Sequence, residues 1–169
     1  MLFADDTNIF VSDSSYEGVV QKANDIPTLV SSNMFSNKLH INYMKKSCYI
    51  PFKPSINDKD SMHFNIPVKI NSFEINEVET TKFPGVTIDN KLSWIPQLKS
   101  LAKKLRCCTG QLSRIKNSIS KSIHKSLYHT LFESHLTYGI TVWGKVSNVK
   151  INPVFVAEKY CLRIEAYDC

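Results

Sequence analysis

Apolar and polar residues alternate along this chain with two different periods, and the change falls near Asn90. Before it the period is mostly two. Leu2–Ala4 and Thr7–Val11 are predicted strands, with apolar Ile9 and Val11 alternating with polar Asn8. The two residues between them, Asp5 and Asp6, match the length of a tight hairpin turn. A helix is predicted to start near Ser15, because Ser14 and Glu17 have capping-box spacing. Its apolar positions are Val19, Val20, Ala23, Ile26, Val30 and Met34. Pro27 lies inside that pattern and predicts a kink or a split. Asn37-Lys38 closes the segment. Ser47–Phe52 is a predicted strand ended by Pro54, and 55–61 is a polar loop. Met62–Ile70 alternates like a strand, with Pro67 at an edge or bulge. Asn71-Ser72 is a predicted turn before a strand at Phe73–Ile75. Thr81–Ile88 forms a strand pair around Gly85, and Asp89-Asn90-Lys91 signals a turn.

Beyond this point the period becomes 3.6. Ser93 is the predicted N-cap and Pro96 falls in the first turn, where proline is tolerated. Leu98, Leu101, Ala102, Leu105, Cys108, Leu112 and Ile115 make one apolar stripe, while Lys99, Lys103, Arg106 and Lys116 take other faces. A second helix is predicted from Ser120 to His135, with Ile123, Leu127, Leu131 and Phe132 turned inward. Tyr138–Gly144 reads as extended or tightly turned, and a last helix spans Pro153–Ala166. The fold class is α+β, with a sheet-bearing part over 1–90 and a helical part over 91–169.

Charge sharpens this division. The net charge is +6, yet no acidic residue occurs between Asp89 and Glu133. Nine basic residues fill that interval: Lys91, Lys99, Lys103, Lys104, Arg106, Arg114, Lys116, Lys121 and Lys125. A block of one sign is either a footprint for a polyanion or a well-solvated helix face. Two adjacent carboxylates at a hairpin call for a divalent cation, a basic partner or open solvent. Five cysteines, an odd number without CxxC spacing, are expected to be free thiols of a reducing, intracellular compartment. The histidines do not pair with them at zinc-ligand spacing, so zinc is not expected. No apolar run reaches the roughly 18 residues of a transmembrane helix, and the acidic N-terminal residues do not resemble a signal peptide.

The order of short motifs resembles the C-terminal part of the reverse transcriptase of non-LTR retrotransposons, the LINE-like elements of the Jockey group. Phe3-Ala4-Asp5-Asp6 is similar to the family's aromatic-x-Asp-Asp signature, with Phe for Tyr. Asn37–Asn42, followed by a lysine and a Ser-Cys-Tyr strand, resembles the next palm motif. Lys82–Asp89 resembles the family's Phe-Leu-Gly-Val-x-Ile-Asp segment, with Pro84 in place of Leu. Leu92-Ser93-Trp94 and the basic helix after it resemble the start of the thumb. His135–Gly139 with Trp143-Gly144 is close to the His-Leu-x-Tyr-Gly and Trp-Gly signature.

The resemblance implies a partial polymerase palm with an antiparallel sheet, followed by a helical, thumb-like region. It implies RNA-directed DNA polymerisation by two-metal nucleotidyl transfer, with Mg²⁺ held by Asp5 and Asp6. Either Lys45 or Lys46 takes the place of the lysine that protonates departing pyrophosphate. Phe83, Gly85 and Val86 fall on the segment that grips the primer. Lys99, Lys103, Lys104, Arg106, Arg114 and Lys116 would track the phosphates of the RNA–DNA duplex of template and primer, with a dNTP as substrate. Trp94 and Trp143 are open to either base stacking or burial. The family's fingers and a further catalytic aspartate belong upstream of Phe3, so these residues alone are expected to be inactive. A non-catalytic nucleic-acid-binding module, or a decayed transposon-derived protein, is the alternative.

Overall fold

In a computed structural model of the chain, the described residues are 2–3, 6–42, 47–52 and 68–166. The fold is mixed α+β, with small strand pairs followed by a helical region. It divides into two compact units, Met1–Pro84 and Gly85–Cys169.

The first unit opens with the hairpin β1 (Leu2–Phe3) and β2 (Asp6–Thr7), paired antiparallel in the register Leu2↔Thr7 and Phe3↔Asp6. That register puts Asp6 in a strand, and the two-residue link is Ala4–Asp5, which lies outside the described residues. The expected link of Asp5 and Asp6 is therefore shifted by one position, and β2 ends at Thr7 rather than Val11.

Helix α1 (Tyr16–Ser36) starts one residue later than the capping-box spacing suggested. Ser15, not Ser14, is the N-cap, and its Oγ accepts from the N–H of Gly18 at 3.1 Å. Asp13 steadies the approach by accepting from the Ser15 N–H at 3.1 Å and pairing with Lys22 at 2.7 Å. Lys22 is the main cause of an Asp13 carboxyl held well below its ordinary range. No split divides the helix at Pro27: α1 runs on through the proline, which is buried. The helix closes as predicted at Asn37-Lys38. Lys38 is left-handed at φ 61°, and the Leu39 N–H reaches back to the Met34 carbonyl at 2.9 Å in a Schellman-type closure.

Short strands complete this unit. β3 (Cys48–Tyr49) pairs parallel with β6 (Asn76–Glu77), and β4 (Lys69–Ile70) pairs antiparallel with β5 (Phe73–Glu74) across the predicted Asn71-Ser72 turn. The predicted loop at 55–61 and most of the predicted Met62–Ile70 strand lie outside the described residues. Val68 and Ile75 are the buried centre, covered by Val19, Val20, Ala23, Tyr49 and Ile70. Asn24 ties helix to strand, its side-chain oxygen accepting from the Lys69 N–H at 2.7 Å. Among the described residues the strands form four separate two-stranded pairs, not one antiparallel sheet. Each strand is only two to four residues long.

β7 (Thr80–Phe83) and β8 (Val86–Asp89) are joined by Pro84-Gly85, where the two units meet along the chain. The second unit continues with α2 (Ile95–Ile115), a 3₁₀ turn at Lys116–Ser118 and α3 (Lys121–Leu127). A π-helical stretch at Tyr128–Glu133 leads directly into α4 (Ser134–Thr137). α5 (Ile140–Trp143) is a single turn of helix where an extended or turned segment was expected. α6 (Asn148–Ala166) begins before Pro153 rather than at it.

The core of this unit is the predicted stripe of α2. Leu98, Leu101, Ala102, Leu105, Cys108 and Leu112 are all buried, against Ile151, Val154, Ala157 and Cys161 of α6 and against Phe132 and Trp143. Burial pushes the Cys108 thiol up, with a smaller contribution from Cys107 beside it. The inward face of α3 and its continuation differs from the expectation. Ile123 is 54% exposed and Leu131 37% exposed, while His124 and Phe132 are buried. Leu127 and Phe132 do turn inward, and Leu131 lies within the π-helical stretch, where the regular 3.6-residue period no longer holds. Within it Tyr128 stacks on Phe132 at a centroid distance of 5.4 Å.

Candidate nucleic-acid interface

The outward face of α2 is built from its N-terminus. Leu92 and Trp94 both have positive φ, 49° and 62°, so the chain turns sharply before the helix. Trp94, not Ser93, is the N-cap, and no side chain of its own caps the helix. Asp89 does that work from the end of β8. Its Oδ2 accepts from the Ser93 N–H and its Oδ1 from the Trp94 N–H, each at 3.0 Å. Asp89 is 6% exposed. Burial pulls its pKa up, but the N–H donors of Ser93 and Trp94 and the Ser93 hydroxyl outweigh it, and the carboxyl is held below its ordinary range. Gln97 adds a second tie, its side-chain oxygen accepting from the Thr87 N–H of β8 at 2.9 Å. The helix thus starts at a fixed place and angle on β8.

With the apolar stripe buried, the opposite face is set by the 3.6-residue period. Lys99, Lys103, Arg106, Gly110 and Arg114 follow one another at steps of four, three, four and four residues, and all are exposed. They form one stripe. Lys104 is exposed at its flank. No carboxylate interrupts this face, because the segment contains none. Lys121 and Lys125 are exposed on α3. Lys116 differs, since its half-buried ammonium donates to the Ile164 carbonyl at 3.2 Å and ties the end of α2 to α6.

The residues of the two signature segments nearest this helix meet one another. Gly85 takes φ +82° in the turn between β7 and β8, and Tyr138 covers it closely. Val86 is buried, and Gly139, at φ +67°, lies against it. Trp143 is buried and its Nε1 donates to the Tyr138 carbonyl at 3.1 Å, which is the burial alternative for this residue. Trp94 is half-buried and packs against the core of the helical unit. In the first unit Phe83 is half-buried and meets Phe10 edge-on at 5.6 Å. Phe83, Gly85 and Val86 are thus consecutive around one hairpin, and the last two are backed by Tyr138 and Gly139.

Asp5, Lys45 and Lys46 lie outside the described residues, and of Asp6 only the strand position is described. Among the described residues no group of three or more His, Cys, Asp or Glu could hold a metal ion. Two neighbouring carboxylates on their own fall short of the donor set that two divalent ions require. Among the described residues no helix is long and apolar enough to cross a membrane.

Three features of this region were not read from the sequence in these roles. Asp89 reads there as a turn signal and not as the cap of a helix starting six residues later. His124 is buried, with Nε2 3.2 Å from the Leu112 carbonyl, which makes that nitrogen the donor. Gly110, inside the strongest helix, was the available signal for a special position on its outward face. No family model, curated protein or solved structure matches this chain.

Proposed function

We propose that these residues are the palm-to-thumb part of a reverse transcriptase of the non-LTR, Jockey-like kind, and that they grip an RNA–DNA duplex through the outward face of α2. The observation that carries the reading is the stripe Lys99, Lys103, Arg106 and Arg114, exposed and free of carboxylates on a rigidly seated helix. Contacts of this type engage phosphates, hold the duplex in position and carry no sequence information. The sequence motifs support the choice of partner, since Lys82–Asp89 and His135–Gly144 follow each other in the family's order and pack together around Gly85.

In this reading the hairpin with Asp5 and Asp6 is a remnant of the palm and would face Mg²⁺ and a dNTP, with Lys45 or Lys46 near the departing pyrophosphate. Two carboxylates do not complete that site, so the 169 residues bind duplex and do not extend a primer. A second reading, a nucleic-acid-binding module without catalysis, is favoured by the helical unit's own core of α2, α6, Phe132 and Trp143. Primer extension on an RNA template with Mg²⁺, run beside duplex binding at low salt, tests both. Binding without extension is the expected result. Template-dependent extension that is lost in Asp5→Asn defeats the inactivity claim. Absence of binding defeats both readings.

A further inference from the structure

Gly110 has no purpose that the chain itself supplies. Glycine is the poorest helix former apart from proline, and Gly110 stands inside a helix of 21 residues, five residues before its last one. The usual reasons for tolerating it are absent. Its φ is not positive, unlike those of Gly85 and Gly139. A Cβ placed on it meets no heavy atom of the described residues within 4 Å, whereas one on Gly18 would strike the Asp13 carboxyl at 2.6 Å. What remains is a bare stretch of helix backbone within the basic stripe, between its two arginines. Arg106 and Arg114 stand one turn to either side, and Lys103 and Lys99 continue the line. Arginine at both flanks matters, because its planar fork suits phosphate oxygens.

We propose that Gly110 is a contact notch, where the sugar–phosphate backbone of an RNA–DNA duplex lies directly against α2 between Arg106 and Arg114. The inference rests on the duplex-binding reading above and goes further, by fixing where on the helix the duplex sits. A missing side chain lets the duplex approach the helix axis more closely than an alanine would, and brings both guanidinium groups into reach of adjoining phosphates. The chain thus gives up helix stability at the one place where its partner comes nearest.

The test is equilibrium binding of a labelled RNA–DNA duplex at fixed low salt to Gly110→Ala, Gly110→Leu and Ser100→Leu, with melting followed by circular dichroism. Ser100 is exposed on the same helix, ten residues before Gly110 and outside the segment between Arg106 and Arg114. Gly110→Ala is expected to melt at a higher temperature than the parent and yet bind more weakly, and Gly110→Leu to bind about tenfold more weakly. Ser100→Leu is expected to bind like the parent. If both Gly110 variants bind like the parent, or if Ser100→Leu loses as much, the notch is refuted while the duplex-binding reading stands. If the parent chain does not bind, that reading fails and the notch with it.

Discussion

A Cβ added to Gly85 would stand 2.8 Å from the hydroxyl oxygen of Tyr138. The two residues come from segments more than 50 positions apart, and their contact closes the β7–β8 turn against the end of α4. Two separate demands thus fall on Gly85, a left-handed backbone and room for a phenol ring. Gly85→Ala is expected to cost about 2 kcal/mol, of which roughly half is the backbone penalty. In a Tyr138→Ala background the same change should cost only the backbone part. A double-mutant cycle in urea reads this coupling; additive losses would separate the two residues.

Asp89 is the cap that α2 lacks on its own account. Asp89→Ala should lower stability by about 1–2 kcal/mol, the range of a lost N-cap, with Asp89→Asn retaining part of it. Its folded pKa lies below the ordinary 3.8. The contribution is therefore present at neutral pH and is lost as pH falls below that ordinary value and through the folded one. Acid unfolding of the parent and of Asp89→Asn checks the sign. The variant's stability should depend less steeply on pH below 4.

Burial separates two positions that the periodic pattern treats alike. Leu105 is fully buried between α2 and α6, and Ile123 is more than half exposed. Leu105→Ala is expected to cost about 2–5 kcal/mol, through lost transfer energy and the cavity left behind. Ile123→Ala should stay within about 0.5 kcal/mol of the parent. Thermal melts of the two variants measure the contrast.

Tyr49 supplies a spectroscopic check on the first unit. Burial and then the Glu77 carboxylate, which accepts from its hydroxyl at 3.2 Å, push its pKa up to about 12. The phenol keeps its proton in the folded state where the unfolded chain loses it. Its contribution is thus present below pH 10 and declines as pH rises towards 12. Ultraviolet titration of the phenolate should show one late-titrating tyrosine, and Glu77→Gln should move it to lower pH.

Legibility in the sequence followed the length of the apolar pattern. The α2 stripe runs over five turns, so its inward face could be read residue by residue, and its outward basic face came with it. The Asn71-Ser72 and Pro84-Gly85 turns were equally plain from local chemistry. At Pro27 the rule that proline breaks a helix failed, and the proline stands buried within a continuous helix. Along 120–135 the regular period misassigned Ile123 and Leu131; Leu131 falls within a π-helical stretch that a 3.6-residue count does not show, while nothing in the structure explains the exposure of Ile123 in the regular helix before it. Asp89 was legible only as a turn residue, since its role depends on a bend through two left-handed residues, Leu92 and Trp94. The pairing register that moves Asp6 into a strand depends on which of two adjacent turns closes, and two-strand hairpins carry little pattern to decide it.

The central claim is that the outward face of α2 holds nucleic acid by its phosphates. Its most direct test is fluorescence anisotropy of a labelled RNA–DNA duplex across a salt series, for the parent chain and for the triple variant Lys99→Glu, Lys103→Glu, Arg114→Glu. The parent should bind with an affinity that falls linearly with salt on logarithmic axes, by about 0.9 in slope for each phosphate neutralised. The folded triple variant should lose most of that affinity, and the slope with it. A triple variant that binds with the parent's affinity and the parent's slope would place the duplex elsewhere and contradict the account.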